Sequence, residues 1–234
     1  MKIAVVIATY QRPDGKTPSY LIRALRSIEA QVFKDYKVYV IGDDYANNEE
    51  FYDICGLFSF VKAYNVPLAP ERSLYPFGDY RLFCSGGVGA SQRGIVHALY
   101  DGYEYICHLD HDDWWNPDHL ESINAILEDK NPLFACTIST YCESYLPKLE
   151  VTNQVLNFYP IAMGMVCSSS CVKYSETSLR ARDVFKETGS AVPADADLWS
   201  RLSEEMKNKN KSGYIFTKVT CHHSDEGYSK HKLL

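Results

Sequence analysis

The stretch Tyr103-Glu-Tyr-Ile-Cys-His-Leu-Asp-His-Asp-Asp-Trp-Trp-Asn-Pro-Asp118 decides how the rest of the chain is read. Tyr105 to Leu109 are bulky and mostly apolar, as in a strand covered on both faces, and the acids Asp110, Asp112 and Asp113 begin where that run stops. Asn116-Pro117 closes the turn, and Pro117 suits the first position of a helix carrying Leu120, Ile123 and Leu127. In α/β sheets ligands bind beyond the C-terminal strand ends, and two acids one residue apart can offer oxygens to a hard cation, which in turn holds a phosphate. A bare Asp-x-Asp is also common in solvated turns, so its surroundings decide its meaning.

Upstream, Ile3 to Ala8 is a continuous aliphatic run entering the loop Thr9-Tyr10-Gln11-Arg12-Pro13, which predicts a buried parallel strand. Thr17-Pro18 predicts a helix start, with Leu21, Leu25, Ile28 and Val32 at helical spacing through about residue 32. Tyr36 to Ile41 is a second strand ending in Gly42-Asp43-Asp44, residues 47 to 57 a short helix, and Phe58 to Tyr64 a third strand. Asn65 to Ser85, with three prolines, predicts a long irregular and partly mobile loop. Gly86-Gly87-Val88-Gly89 then opens a helix turning Ile95, Ala98 and Leu99 inward. Strands and helices alternating in this way predict a mostly parallel α/β sheet.

Downstream the pattern changes. Leu133 to Thr140, Leu146 to Thr152 and Gln154 to Tyr159 predict strands, Ala162 to Cys167 a flexible apolar stretch, and Ser168-Ser169-Ser170 a polar loop. Helices are expected over Ser178 to Glu187 and Asp195 to Lys207, then a strand over Tyr214 to Cys221 and a polar tail containing His231. With no internal repeat and no clean linker, the chain reads as one domain over 1–234.

Bulk composition excludes several classes. At a formal charge of −6, with 30 acids against 24 Lys and Arg, the chain has no electrostatic footprint for nucleic acid or an anionic membrane. A phosphate would therefore be handled through a metal and a few placed cations. No run reaches membrane-spanning length, and Ile3 to Ala8 is too short for a signal core. The eight cysteines lack Cys-x-x-Cys spacing, which favours reduced core thiols and a cytoplasmic setting. His108 and His111 lie on opposite sides of a strand-to-turn transition, which argues against a zinc site built from them.

Four blocks in this order, Val5-Val6-Ile7-Ala8-Thr9-Tyr10-Gln11-Arg12, Val40-Ile41-Gly42-Asp43-Asp44, Leu109 to Pro117 and Asp195-Ala196-Asp197-Leu198-Trp199-Ser200-Arg201-Leu202, resemble the family 2 glycosyltransferases of the GT-A fold over nearly the whole length. The resemblance implies a Rossmann-like, mostly parallel central sheet with helices on both faces. It also implies a nucleotide-sugar and metal half over 1–118 and a more irregular acceptor half over 119–234. By similarity Thr9, Tyr10, Arg12 and Asp44 would hold the nucleotide, Arg93 a phosphate, and Asp110 with His111 the ribose region. Asp112 would ligate Mn²⁺ or Mg²⁺, with His223 completing the metal shell. Asp195 matches the general base, although Ala194 stands where the family usually has Glu; Asp197 and Trp115 would lie on the acceptor side.

The implied activity is metal-dependent, inverting transfer of a hexosyl or deoxyhexosyl group from a nucleoside-diphosphate sugar, UDP-linked, to a hydroxyl of a glycan or other acceptor. A nucleotidyltransferase or a catalytically silent sugar-binding module are the alternatives. The first would be expected to carry a basic, Gly-rich loop after the opening strand, which Thr9 to Pro13 is not.

Overall fold

The computed structural model describes residues 1–67, 74–75, 79–179 and 192–224. The first half is a parallel array. β1 (Ile3–Thr9) runs between β2 (Tyr36–Asp43) and β4 (Tyr105–His108), and β3 (Val61–Val66) lies beyond β2, all parallel. Three helices connect or flank these strands: α1 (Thr17–Glu29), α2 (Asn48–Gly56) and α4 (Val88–Tyr100), with the short α3 (Tyr80–Ser85) preceding the last. Side chains alternate across a strand, so Ile3, Val5 and Ile7 meet α1 and α2, whereas Ala4 and Val6 meet α4 on the other face.

β1 and β4 are buried on both faces, which explains why they read as unbroken apolar runs. Gly94 lets α4 lie directly on β1: a Cβ there would stand 2.5 Å from Val6 Cγ1.

The second half extends the same sheet. β9 (Ser170–Lys173) is antiparallel to both β4 and β6 (Phe134–Tyr141), and β10 (Gly213–His222) runs parallel to β6. The short β5 (Trp114–Trp115) and β8 (Val155–Asn157) pair antiparallel with β10, and β7 (Ser144–Leu146) folds back on β6. The order is β3-β2-β1-β4-β9-β6-β10-β5. α5 (His119–Lys130) covers one face with Leu120, Ile123, Ile126 and Leu127, and α6 (Ala194–Asn208) covers the other with Trp199, Leu202 and Met206. The α/β class, the mostly parallel sheet and the helices on both faces agree with the expectation.

Several boundaries differ. α1 stops at Glu29, leaving Val32 exposed rather than inward. The Thr17 hydroxyl does not cap that helix: it donates to Tyr10 O (3.0 Å) and accepts from Arg12 N (2.9 Å), tying down the loop after β1. The long loop is shorter than expected, since β3 runs to Val66 and Asp79 caps α3; residues 68–73 and 76–78 lie outside the described residues. Pro117 sits two residues ahead of α5, because Trp114 and Trp115 are drawn into the sheet by β10.

Leu146 to Thr152 is no strand beyond its first residue. The three serines are no surface loop: Ser168, Ser169 and Ser170 are fully buried where a 3-10 turn enters β9. The helix expected over Ser178 to Glu187 falls from residue 180 onward outside the described residues, as does the tail from 225. All eight cysteines are free thiols, and six are buried. Among the described residues no helix is long and apolar enough to cross a membrane.

Candidate active site

Parallel register places the sheet's C-terminal ends side by side. Thr9 is opposite Gly42 and Val6 opposite His108, so Tyr10, Asp44 and Asp110 all follow at one edge. There Asp113 N donates to Asp110 O (3.1 Å), folding the acids into a tight turn whose four members have different environments.

Asp110 is open to a cavity of about 570 Å³, and its backbone N donates to Ser168 Oγ (2.9 Å). Protein rings it on most sides, so its accessible surface meets confined water; desolvation, then the charges of Asp113 and Asp112, push its pKa up to about 8. His111 is buried on the edge of Tyr10, with ring centroids 5.6 Å apart, and burial lowers its pKa. Asp112 lies 3.5 Å from Arg12 Nη1, while its carbonyl accepts from Arg23 Nη2 (2.5 Å). Arg23 in turn lies over the Trp114 ring at 4.3 Å. Asp113 is fully buried and accepts from Ser168 Oγ (2.5 Å) and Ser224 N (2.8 Å), with His223 Nδ1 at 3.0 Å.

Three segments distant in sequence meet around the cavity: Asp110 from the acid turn, Asp195 from the first turn of α6, and His223 just beyond β10. The start of α4 closes another side through Gly86, Gly87, Val88, Ser91 and Gln92, where Gly87 takes the left-handed conformation (φ 77°) that a side chain would strain. Asp195 Oδ1 accepts from Ala196 N (2.8 Å), and burial raises its pKa. Burial opposes charge on His223, but the hydrogen bond and charge of Asp113 outweigh it and push the ring up to about 9. Tyr141 stacks on that ring at 5.2 Å.

Not every candidate reaches this cavity. Thr9 is buried, Tyr10 contacts His111, and Arg12 bridges Asp14 and Asp112, so this group borders the acid turn from the β1 side. Thr9 Oγ1 and His111 Nε2 are buried without a hydrogen-bond partner among the described residues. Asp44 is exposed, in the left-handed region at φ 49°. Three further candidates stand apart from the cavity. Arg93 is exposed and does not line the cavity, because helical rotation turns Ser91 and Gln92 inward instead. Trp115 is no acceptor surface: it is buried, stacked on His119 at 4.2 Å, and its indole N–H donates to Ser168 O (2.7 Å). Asp197 grips Arg201 (2.9 and 2.8 Å), and it is Arg201 that lines the cavity.

Residues that sequence reasoning left unassigned are Asp113, Ser168, Arg23 and Arg201. Asp113 and Arg201 had a signal, the first inside the acid run and the second four residues after Asp197 on a predicted helix. Ser168 and Arg23 had none, since both act across the sheet.

Comparison with known proteins bears on the family and the fold. No family model matches the chain. An uncharacterized glycosyltransferase, R139, of Acanthamoeba polyphaga mimivirus is 31% identical, with 98% of this chain and 96% of that protein covered. Among solved structures, S. aureus TarS 1–349 superposes with a TM-score of 0.67 at 12% identity, and its complex with UDP-GlcNAc with 0.69 at 12%. These alignments take in 96% and 95% of this chain but 61% and 58% of the TarS chains, so the chain spans about three fifths of them. With a full-length relative of that identity and this sheet, the chain belongs to the glycosyltransferases and carries the GT-A fold.

Proposed function

We propose that the chain is a metal-dependent, inverting glycosyltransferase that uses a UDP-sugar as donor and a hydroxyl as acceptor. The carrying observation is the convergence of Asp110, Asp195 and His223 on one cavity. TarS has been solved with UDP and with UDP-GlcNAc, which supports a uridine diphosphate donor here. Tyr10 and Arg12, half-buried on the loop after β1 beside the acid turn, are the side chains there that a nucleotide would meet.

Among the described residues no three His, Cys, Asp or Glu side chains form a metal cage. The donors at hand still fit Mg²⁺ or Mn²⁺, which commonly take one or two carboxylates from the protein and the rest from water and substrate phosphates. Asp112 would supply the carboxylate and His223, on giving up its proton, the ring nitrogen that Asp113 does not hold. A bound cation would supply Lewis-acid stabilisation of the departing diphosphate.

Asp195 does the proton chemistry. Its carboxylate is fixed by Ala196 N and made more basic by burial. It takes the proton of the acceptor hydroxyl as that oxygen bonds the anomeric carbon and the bond to the diphosphate breaks on the opposite face. Inversion follows from that single displacement. Leu198, Met165 and Val166 line the same cavity and would limit water on the acceptor side.

The test is a panel of UDP-sugars and simple hydroxyl acceptors incubated with Mn²⁺, reading UDP release and the anomeric configuration of the product by NMR. The reading expects UDP and an inverted linkage. Release of sugar 1-phosphate, with UMP left on the acceptor, would instead support a nucleotidyltransferase, and sugar binding without any product a silent module.

A further inference from the structure

The most buried acid of the turn is the one that the reaction does not touch. Asp113 is 0% exposed and does not line the cavity, yet its carboxylate joins three segments. It receives Ser168 Oγ from the turn before β9 (2.5 Å), Ser224 N from the chain after β10 (2.8 Å), and it faces His223 Nδ1 at 3.0 Å from Oδ1 and 3.2 Å from Oδ2. Ser168 Oγ also accepts from Asp110 N (2.9 Å), so one hydroxyl links the two acids.

We propose that Asp113 is a positioning residue of the transferase site: its buried carboxylate sets the ring of His223 through Nδ1 and, through Ser168, the backbone at Asp110. This rests on the reading of His223 as a group that meets the bound donor and its cation.

The physical case is one of preorganisation. An imidazole that serves a ligand through one nitrogen is commonly held through the other by a carboxylate, which fixes both ring orientation and proton position. Here the ring is constrained twice, by Asp113 at its edge and by Tyr141 stacked on its face at 15° to its plane. Burying a carboxylate is costly unless its oxygens are satisfied, and Asp113 meets that condition with partners from the turn before β9 and the chain after β10. The cost is incurred in one place and the benefit falls at the cavity, since Asp110 and His223 line it and Asp113 does not.

The experiment compares wild type, Asp113→Asn, His223→Ala and the double variant, with Ser168→Ala as a milder change. The first measurement is the two-bond ¹H–¹⁵N spectrum of ¹⁵N-histidine-labelled, metal-free protein without donor. Removing the carboxylate should move the His223 Nδ1 resonance in Asp113→Asn, and Ser168→Ala should move it less. The second is the UDP-sugar transfer rate, where loss of an outer partner typically costs about 10–100-fold. Because Asp113 acts in part through His223, the double variant should lose less than the product of the two single losses.

Unmoved His223 resonances, or losses that multiply in the double variant, would overturn the proposal and leave Asp113 as a structural tie. Should Asp113→Asn fail to fold, the same cycle with Ser168→Ala decides it by the same criteria. The spectrum needs no turnover, so a protein that transfers no sugar would count against the function without silencing this test.

Discussion

Asp112 is held mainly by its backbone, because Arg23 grips the carbonyl and stacks on Trp114, whereas its carboxylate makes one longer contact, 3.5 Å to Arg12 Nη1. Asp112→Asn should therefore leave the melting temperature nearly unchanged while cutting metal-dependent transfer by about 10²-fold or more, the scale of a lost cation contact. A near-normal rate with Mn²⁺ would remove Asp112 from the metal role. Trp115, three residues on, should behave in the opposite way. Trp115→Phe takes a buried indole N–H from Ser168 O, and leaving that carbonyl unpaired should cost about 1–3 kcal/mol in urea unfolding, with donor affinity affected only through stability. At this scale the position of the acids was legible because they begin where an apolar strand stops, whereas Asp195 was singled out by the resemblance. Arg93 rested on the resemblance alone, and one residue of helix, a rotation of about 100°, decides which side chain faces the cavity.

At the scale of elements, the contact of α4 on β1 depends on Gly94. An alanine there would gain about 1 kcal/mol of helix propensity, but its Cβ would meet Val6, which is buried and has nowhere to move. Overpacking of that kind costs about 1–3 kcal/mol, so Gly94→Ala should lower the melting temperature on balance.

Glu176 gives a pH-dependent contact. Its hydrogen bonds with Lys173 and Lys211 tie the chain after β9 to the start of β10, holding its pKa down to about 2. A carboxyl depressed on folding contributes stability above the usual glutamate range and loses it as pH falls from there toward 2. Glu176→Gln should thus lower the melting temperature at pH 6 and have little effect at pH 2; the partial exposure of Glu176 and Lys211 keeps the effect small. An equal shift at both pH values would contradict it.

β1, β2 and α1 were readable because buried parallel strands and amphipathic helices impose strong periods. β9 was not: Ser170-Cys-Val-Lys173 is four residues long and begins on the last of three serines, and only the sheet around it makes those serines buried.

At the scale of the whole molecule, the reading divides the work between two parts of one sheet. The β1 edge and the acid turn would hold the donor, and α6 would bring Asp195 to the acceptor across the cavity. That division predicts different consequences for binding and for chemistry. A positioned general base contributes about 10²–10⁴-fold, so Asp195→Asn should slow transfer by that factor while UDP-sugar affinity, measured by calorimetry in the presence of Mn²⁺, stays within about twofold of wild type. If rate and affinity fall together with a lowered melting temperature, Asp195 serves only to begin its helix, and the site as described here does not carry the transfer.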